Sequence, residues 1–217
     1  MALRRLTVAT QQPYEVVLGA GALAELPAMV TVKVERIALI HAPHMSELAG
    51  QIEALFPGKQ VLTIAAPDGE NAKTIGFVIE TWDQLGAAGF TRSDVVIGIG
   101  GGATTDVAGY IAASWPRGIS FITVPTTILA MVDAAVGGKT GINVAAGKNL
   151  VGAFHEPAGV ICELSILASL PAREISGGLA EVVKCGFIAD PTILDDIEAR
   201  ATEAMDPSSD LLADLIM

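Results

Sequence analysis

Short apolar runs punctuate the first half of the chain: RIALIH (36–41), QVLTIAA (60–66), DVVIGIGGG (94–102) and ISFITVP (119–125). Each reads as a buried strand. Between them, MSELAGQIEALF (45–56), TIGFVIETWDQLGAAG (74–89) and DVAGYIAASW (106–115) carry apolar residues at helical spacing, and Gly89 is placed to cap the second. This alternation predicts an α/β fold, a Rossmann-like, doubly wound parallel sheet flanked by helices. Ahead of it, RLTVAT and YEVVLG predict an antiparallel pair. After Pro171 the pattern turns helical, through AREISGGLAEVVKCGFI, PTILDDIEARATEAM and SSDLLADLIM. The chain therefore divides into an α/β domain over 1–172 and the beginning of an all-helical second domain over 173–217. The amphipathic last helix, 208–217, ends without a cap or polar tail. Uncovered apolar helices over 192–217 predict marginal solubility alone and a natural chain that continues past Met217.

Composition sharpens this picture in three ways. Hydrophobic residues make up 51% and charged ones 17%, enough for a core and against wholesale disorder. A formal charge of −11 argues against a nucleic-acid partner, which would need a basic stripe. An anionic small molecule would then depend on a local cluster of Lys and Arg. Cys162 and Cys185 form no CxxC pair, which fits a reducing cytosol and a cytoplasmic protein. MALRRLTVAT has no apolar stretch after its arginines, so no signal peptide is apparent. The most apolar window, 94–114, is broken by Asp94 and Asp106 and does not read as a membrane span.

GIGGGATTDVAGY (98–110) follows a strand and opens a helix, the setting in which glycines let backbone approach a diphosphate at a helix N-terminus. Its GxGxxG spacing is loose, and a tight strand–helix turn is the alternative reading. PDGENAK (67–73) offers a carboxylate to a ribose or simply starts a helix. In VPTTILAMVDAAVGGKTG (124–141), Thr126 and Thr127 lie just past a strand end. Asp133 sits on an otherwise apolar helix and needs a partner, for which Lys139 is close in sequence. Glu181 and Lys184 are spaced i, i+3 on one helix face, as an ion pair or as a metal ligand beside a substrate lysine. Of His41, His44 and His155, only His41 and His44 have zinc-ligand spacing, and they sit in a strand-to-helix loop. VGGKTGINVAAGKNLVGAFHEP (136–157) places two lysines nine residues apart amid glycine and alanine.

Taken together, DGENAK, GGGATTDVAGY, RGISFITVPTTILAMVDAAVGGKTGIN, GKNLVGAFHEP and LPAREISGGLAEVVKCG resemble the 3-dehydroquinate synthase family of sugar-phosphate cyclases, in order over most of 36–190. The resemblance implies conversion of 3-deoxy-D-arabino-heptulosonate 7-phosphate to 3-dehydroquinate and phosphate, in the shikimate pathway. It implies NAD as a catalytic cofactor with no net redox change, and a divalent metal, zinc or cobalt. Asp68, Glu70, Lys73, Gly101, Gly102, Ala103, Asp106, Thr126, Thr127 and Lys148 would hold NAD. Asp133, Lys139, Asn149 and Lys184 would face the substrate. Arg117 would reach the substrate of a partner subunit, which implies a homodimer. Glu181 would be the one carboxylate ligand of the metal.

The chain departs from the family pattern in three places. Thr104-Thr105 stands where many members have Gly before the Asp. His41-Ala42-Pro43 stands where many place an Asp for the adenosine ribose. The two zinc-ligand histidines of the family lie in a helical region beyond residue 217. An NAD-dependent polyol or alcohol dehydrogenase, and an inactive NAD-binding fragment, are the alternatives. The first would accumulate NADH and the second would show no turnover.

Overall fold

The computed structural model describes residues 2–217. Among the described residues, nine strands and eight α-helices follow one another. The strands are β1 (Arg4–Val8), β2 (Tyr14–Gly19), β3 (Arg36–His41), β4 (Gln60–Ala65), β5 (Val95–Gly100), β6 (Ser120–Pro125), β7 (Lys139–Val144), β8 (Gly147–Phe154) and β9 (Gly159–Glu163). The helices are α1 (Leu26–Met29), α2 (Ser46–Glu53), α3 (Ile75–Ala87), α4 (Gly102–Ser114), α5 (Ala172–Ile188), α6 (Thr192–Ala199), α7 (Ala201–Ala204) and α8 (Asp210–Ile216).

Seven strands form one sheet in the order β1-β2-β9-β6-β5-β3-β4, parallel throughout except for the β1–β2 pair. Burial on both faces explains the unbroken apolar runs. Alternate residues serve opposite faces. Ala38, Ile40 and Val96 join Val107 and Ile111 under α3 and α4. Ile37, Leu39, Val95 and Ile97 join Ala49 and Ile52 under α2. The connection from β3 runs to β4 on one side, and that from β5 runs to β6 on the other. The order therefore reverses between β3 and β5, and α/β sheets bind ligands outside the strand ends at such a point.

Several expectations need correction. The third helix starts at Gly102, four residues before the predicted Asp106. Gly101, extended at φ −71°, ψ 179°, serves as its N-cap and lets the glycines themselves enter the first turn. Residues 139–154 form a β-hairpin, and Gly159–Glu163 adds a strand between β2 and β6; neither was predicted. The helix predicted over 191–205 breaks at Arg200 (φ −134°, ψ 42°). The last helix is capped at its start, where Ser209 Oγ accepts from the Leu212 N–H at 3.0 Å. Its apolar residues are not exposed as predicted. Leu211, Leu212, Ala213 and Ile216 are buried against Tyr14, Val16, Leu18 and Cys162 at the edge of the sheet. The sheet edge supplies the covering surface, whereas Phe187 and Ile188 at the end of α5 stay largely exposed, as do Val32, Leu150 and Phe154 elsewhere. No helix among the described residues is long and apolar enough to cross a membrane.

Candidate active site

The glycine turn after β5 needs its glycines for closeness. A Cβ on Gly98 would lie 2.8 Å from that of Ala108, so α4 could not pack down on its own strand. The first turn of α4 has no side-chain cap, so the N–H groups of Gly102 and Ala103 point outward unclaimed. Facing it, the Thr127 Oγ1 accepts from the Ala130 N–H at 3.2 Å. The neighbouring Thr126 is buried, and its Oγ1 has no hydrogen-bond partner. An orphaned hydroxyl and uncapped helix N–H groups together fit a polar, anionic guest at the switch point. His41, at the end of β3, is buried and its Nδ1 donates to the Ala42 carbonyl at 2.8 Å.

Beside this turn is a cleft of about 470 Å³, lined among others by Asp106, Asp133, Lys139, Thr140, Asn149 and Leu150. Asp133 reaches it because residues 130–134 form a π-helical turn, a local widening common at functional sites. Its Oδ1 accepts from Lys139 Nζ at 3.1 Å. Lys139 begins β7, just after a loop in which the Gly137 N–H donates to the Tyr14 hydroxyl at 3.0 Å.

Lys73 organises the inner wall. It is 2% exposed, and its Nζ donates to Asp106 and to Asn149 Oδ1. Burial pushes the Asp106 carboxyl above the usual range, Lys73 pulls it back, and the negative charges of Asp133 and Glu70 push it up again. Glu70, outside this wall, accepts from Asn143 Nδ2 at 2.7 Å and lies 3.8 Å from Lys148 Nζ. On α5, Lys184 pairs with Glu181, which raises the Lys184 pKa, and the Asp133 charge adds to the effect. Of the four lysines only Lys73 is locked inside. Lys139, Lys148 and Lys184 are exposed at the rim, where a cation can exchange a carboxylate for an incoming anion.

The structure thus gathers Lys73, Asp106, Asp133, Lys139 and Asn149 around one cleft, with Glu70 and Lys148 on one flank and Glu181 and Lys184 on the other. Two predicted residues lie elsewhere. Asp68 is exposed, 4.0 Å from His44 Nδ1. Arg117 is exposed at the turn after α4, at φ +73°, beside His155 and Glu156. Sequence reasoning missed Asn143, which bonds to Glu70 and Asn149. No group of three or more His, Cys, Asp or Glu side chains among the described residues could hold a metal. Glu181 therefore offers at most one ligand, and these residues do not make a metal centre.

Switch point, glycine turn and charged cleft define a doubly wound α/β domain with a polar cleft beside its switch point. The model of the 3-dehydroquinate synthase N-terminal domain matches residues 63–177. The chain belongs to the 3-dehydroquinate synthase family. It is 54% identical to a 3-dehydroquinate synthase of Thermobifida fusca, over 95% of this chain and 57% of that protein. Among solved structures, 2-epi-5-epi-valiolone synthase from Streptomyces hygroscopicus subsp. jinggangensis 5008, with NAD+ and Zn2+ bound, superimposes with a TM-score of 0.83 at 28% identity, covering 98% of this chain and 61% of that one. A 2-deoxy-scyllo-inosose synthase complexed with carbaglucose-6-phosphate, NAD+ and Co2+ gives 0.76 at 27% identity, over 84% and 50%. The chain spans little more than half the length of the curated relative it matches.

Proposed function

We propose that this chain is the NAD-binding half of a cytoplasmic 3-dehydroquinate synthase, acting on 3-deoxy-D-arabino-heptulosonate 7-phosphate to release phosphate. The observation that carries the reading is the cleft that joins Asp106, Asp133, Lys139 and Asn149 beside the uncapped turn of α4. Gly101, Gly102 and Ala103 would receive the cofactor diphosphate on backbone N–H groups, with the orphaned Thr126 hydroxyl beside them. NAD would supply reversible hydride transfer, which acidifies the neighbouring C–H and leaves no net redox change. Lys139 and Lys184 would hold the anionic substrate, and Asp133, between their charges, would keep both aimed into the cleft. Arg117, on a surface turn away from this cleft, would serve the site of a second copy, which makes the active assembly a homodimer. A divalent metal, zinc or cobalt, would need ligands in addition to Glu181.

Titration of the 217-residue chain with NAD, followed by calorimetry, tests the reading. Saturable binding at one site per chain is expected, together with a dimer by sedimentation. Absence of NAD binding at millimolar concentration would sink it. A net rise of NADH absorbance with a simple polyol would instead favour a dehydrogenase.

A further inference from the structure

Asn143 lies at an irregularity in the hairpin. Ile142 pairs with Val151 and Val144 with Gly147, so residues 148–150 of β8 stand opposite Asn143 alone. Such a bulge bends the strand and re-aims side chains. Here it turns Lys148 and Asn149 out of the ladder, and Asn149 takes the left-handed conformation, φ +57°. Three hydrogen bonds fix Asn143 within this corner. Its N–H donates to the Lys73 carbonyl at 2.8 Å. Its Oδ1 accepts from the Asn149 N–H at 2.9 Å, and its Nδ2 donates to Glu70 Oε2 at 2.7 Å. Asn149 Oδ1 in turn accepts from Lys73 Nζ, which closes a ring through Lys73, Asn143 and Asn149.

Only one orientation of the Asn143 amide satisfies both neighbours, because an N–H needs an acceptor and a carboxylate needs a donor. Asp would keep the first bond and lose the second; Ala would lose both. The same amide thus ties two segments far apart in sequence, the loop after β4 and the tip of the hairpin. Glu70, Lys73, Lys148 and Asn149 all sit on those two segments.

We infer that Asn143 is a positioning residue: its amide holds Glu70 and the Lys148–Asn149 corner in the arrangement that receives the cofactor. The inference rests on the proposed NAD-binding function. Asn143 touches neither cofactor nor substrate in this role and acts through Glu70 and Asn149.

Amide hydrogen exchange and NAD titration on the 217-residue chain test it together. In Asn143→Ala, residues 147–151 should exchange at least tenfold faster than in the wild type, while β3, β5 and β6 keep their protection. NAD affinity should fall by about tenfold, the effect of one lost charge-assisted hydrogen bond. Asn143→Asp should weaken NAD binding as well, through loss of the donor and repulsion from Glu70. Adding Glu70→Gln to Asn143→Asp restores a donor opposite an acceptor, so the pair should bind NAD more tightly than Asn143→Asp alone. A merely space-filling Asn143 would not show that reversal. Unchanged exchange at 147–151 in Asn143→Ala, or a double variant no better than Asn143→Asp, would overturn the inference. Wild-type chain that fails to bind NAD would instead overturn the functional reading on which it rests.

Discussion

Single side chains set the local limits of this fold. Glu163, buried at the end of β9, accepts hydrogen bonds from the Gly21 and Leu23 N–H groups, at 3.0 and 3.2 Å, and from the Ser165 N–H and Oγ, at 3.2 and 2.7 Å. One carboxylate therefore satisfies two turns that have no other partner for those groups. Glu163→Ala should cost about 3 kcal/mol, because buried donors are left unpaired. The midpoint of urea unfolding checks this, and a loss below about 1 kcal/mol would show that water reaches those groups. Lys73 illustrates the same point within the site. Its place in PDGENAK was legible from sequence as a helix-start residue. Its burial was not, because Asp106 and Asn149 come from segments 33 and 76 residues away.

Among the elements, the hairpin is the one whose sequence gave least warning. Its strands, KTGINV and GKNLVGAF, lack the β-branched alternation that marks a strand. Glycines are present because the strands cross closely: a Cβ on Gly152 would stand 2.1 Å from the Thr140 carbonyl oxygen. Gly152→Ala should therefore push β8 away from β7 and disturb Lys139 and Asn149 together. The expected outcome is a loss of NAD affinity of tenfold or more with the main sheet intact, read by titration and circular dichroism. Unaltered affinity would mean that the hairpin does not need its close crossing. The strand β9 was more legible than its omission suggests. GVICE is an apolar run that opens on Gly159, two residues after Pro157, a signal equal to the one that marked β3.

For the molecule as a whole, the sheet and its flanking helices make one folded unit with a deeply buried thiol. Burial pushes the Cys162 thiol up to about 12 from its ordinary value of 9.0. The folded state thus holds that proton more tightly than the unfolded chain. The associated stability is fully present below pH 9.0 and is lost as pH rises toward about 12. Cys162→Ala should lower stability at neutral pH by leaving a small cavity, yet flatten the alkaline decline between those limits. Urea midpoints measured across that window check the sign; an identical decline in both proteins would show that the thiol does not contribute. Cys185, exposed on α5, should react with a thiol reagent in the native protein while Cys162 does not.

The sequence by itself determined the alternating strands and helices through β6, the antiparallel opening pair and the glycine turn, because those follow from local periodicity and turn chemistry. It also marked Asp133 and Lys139 as partners, since a carboxylate on an apolar helix needs a nearby cation. Tertiary structure alone decided that the last helix is covered, that 139–154 is a hairpin and that Asn143 bonds to Glu70 and Asn149. Each of these depends on a surface or a hydrogen-bond partner from a distant segment, and local spacing carries no information about which distant segments meet.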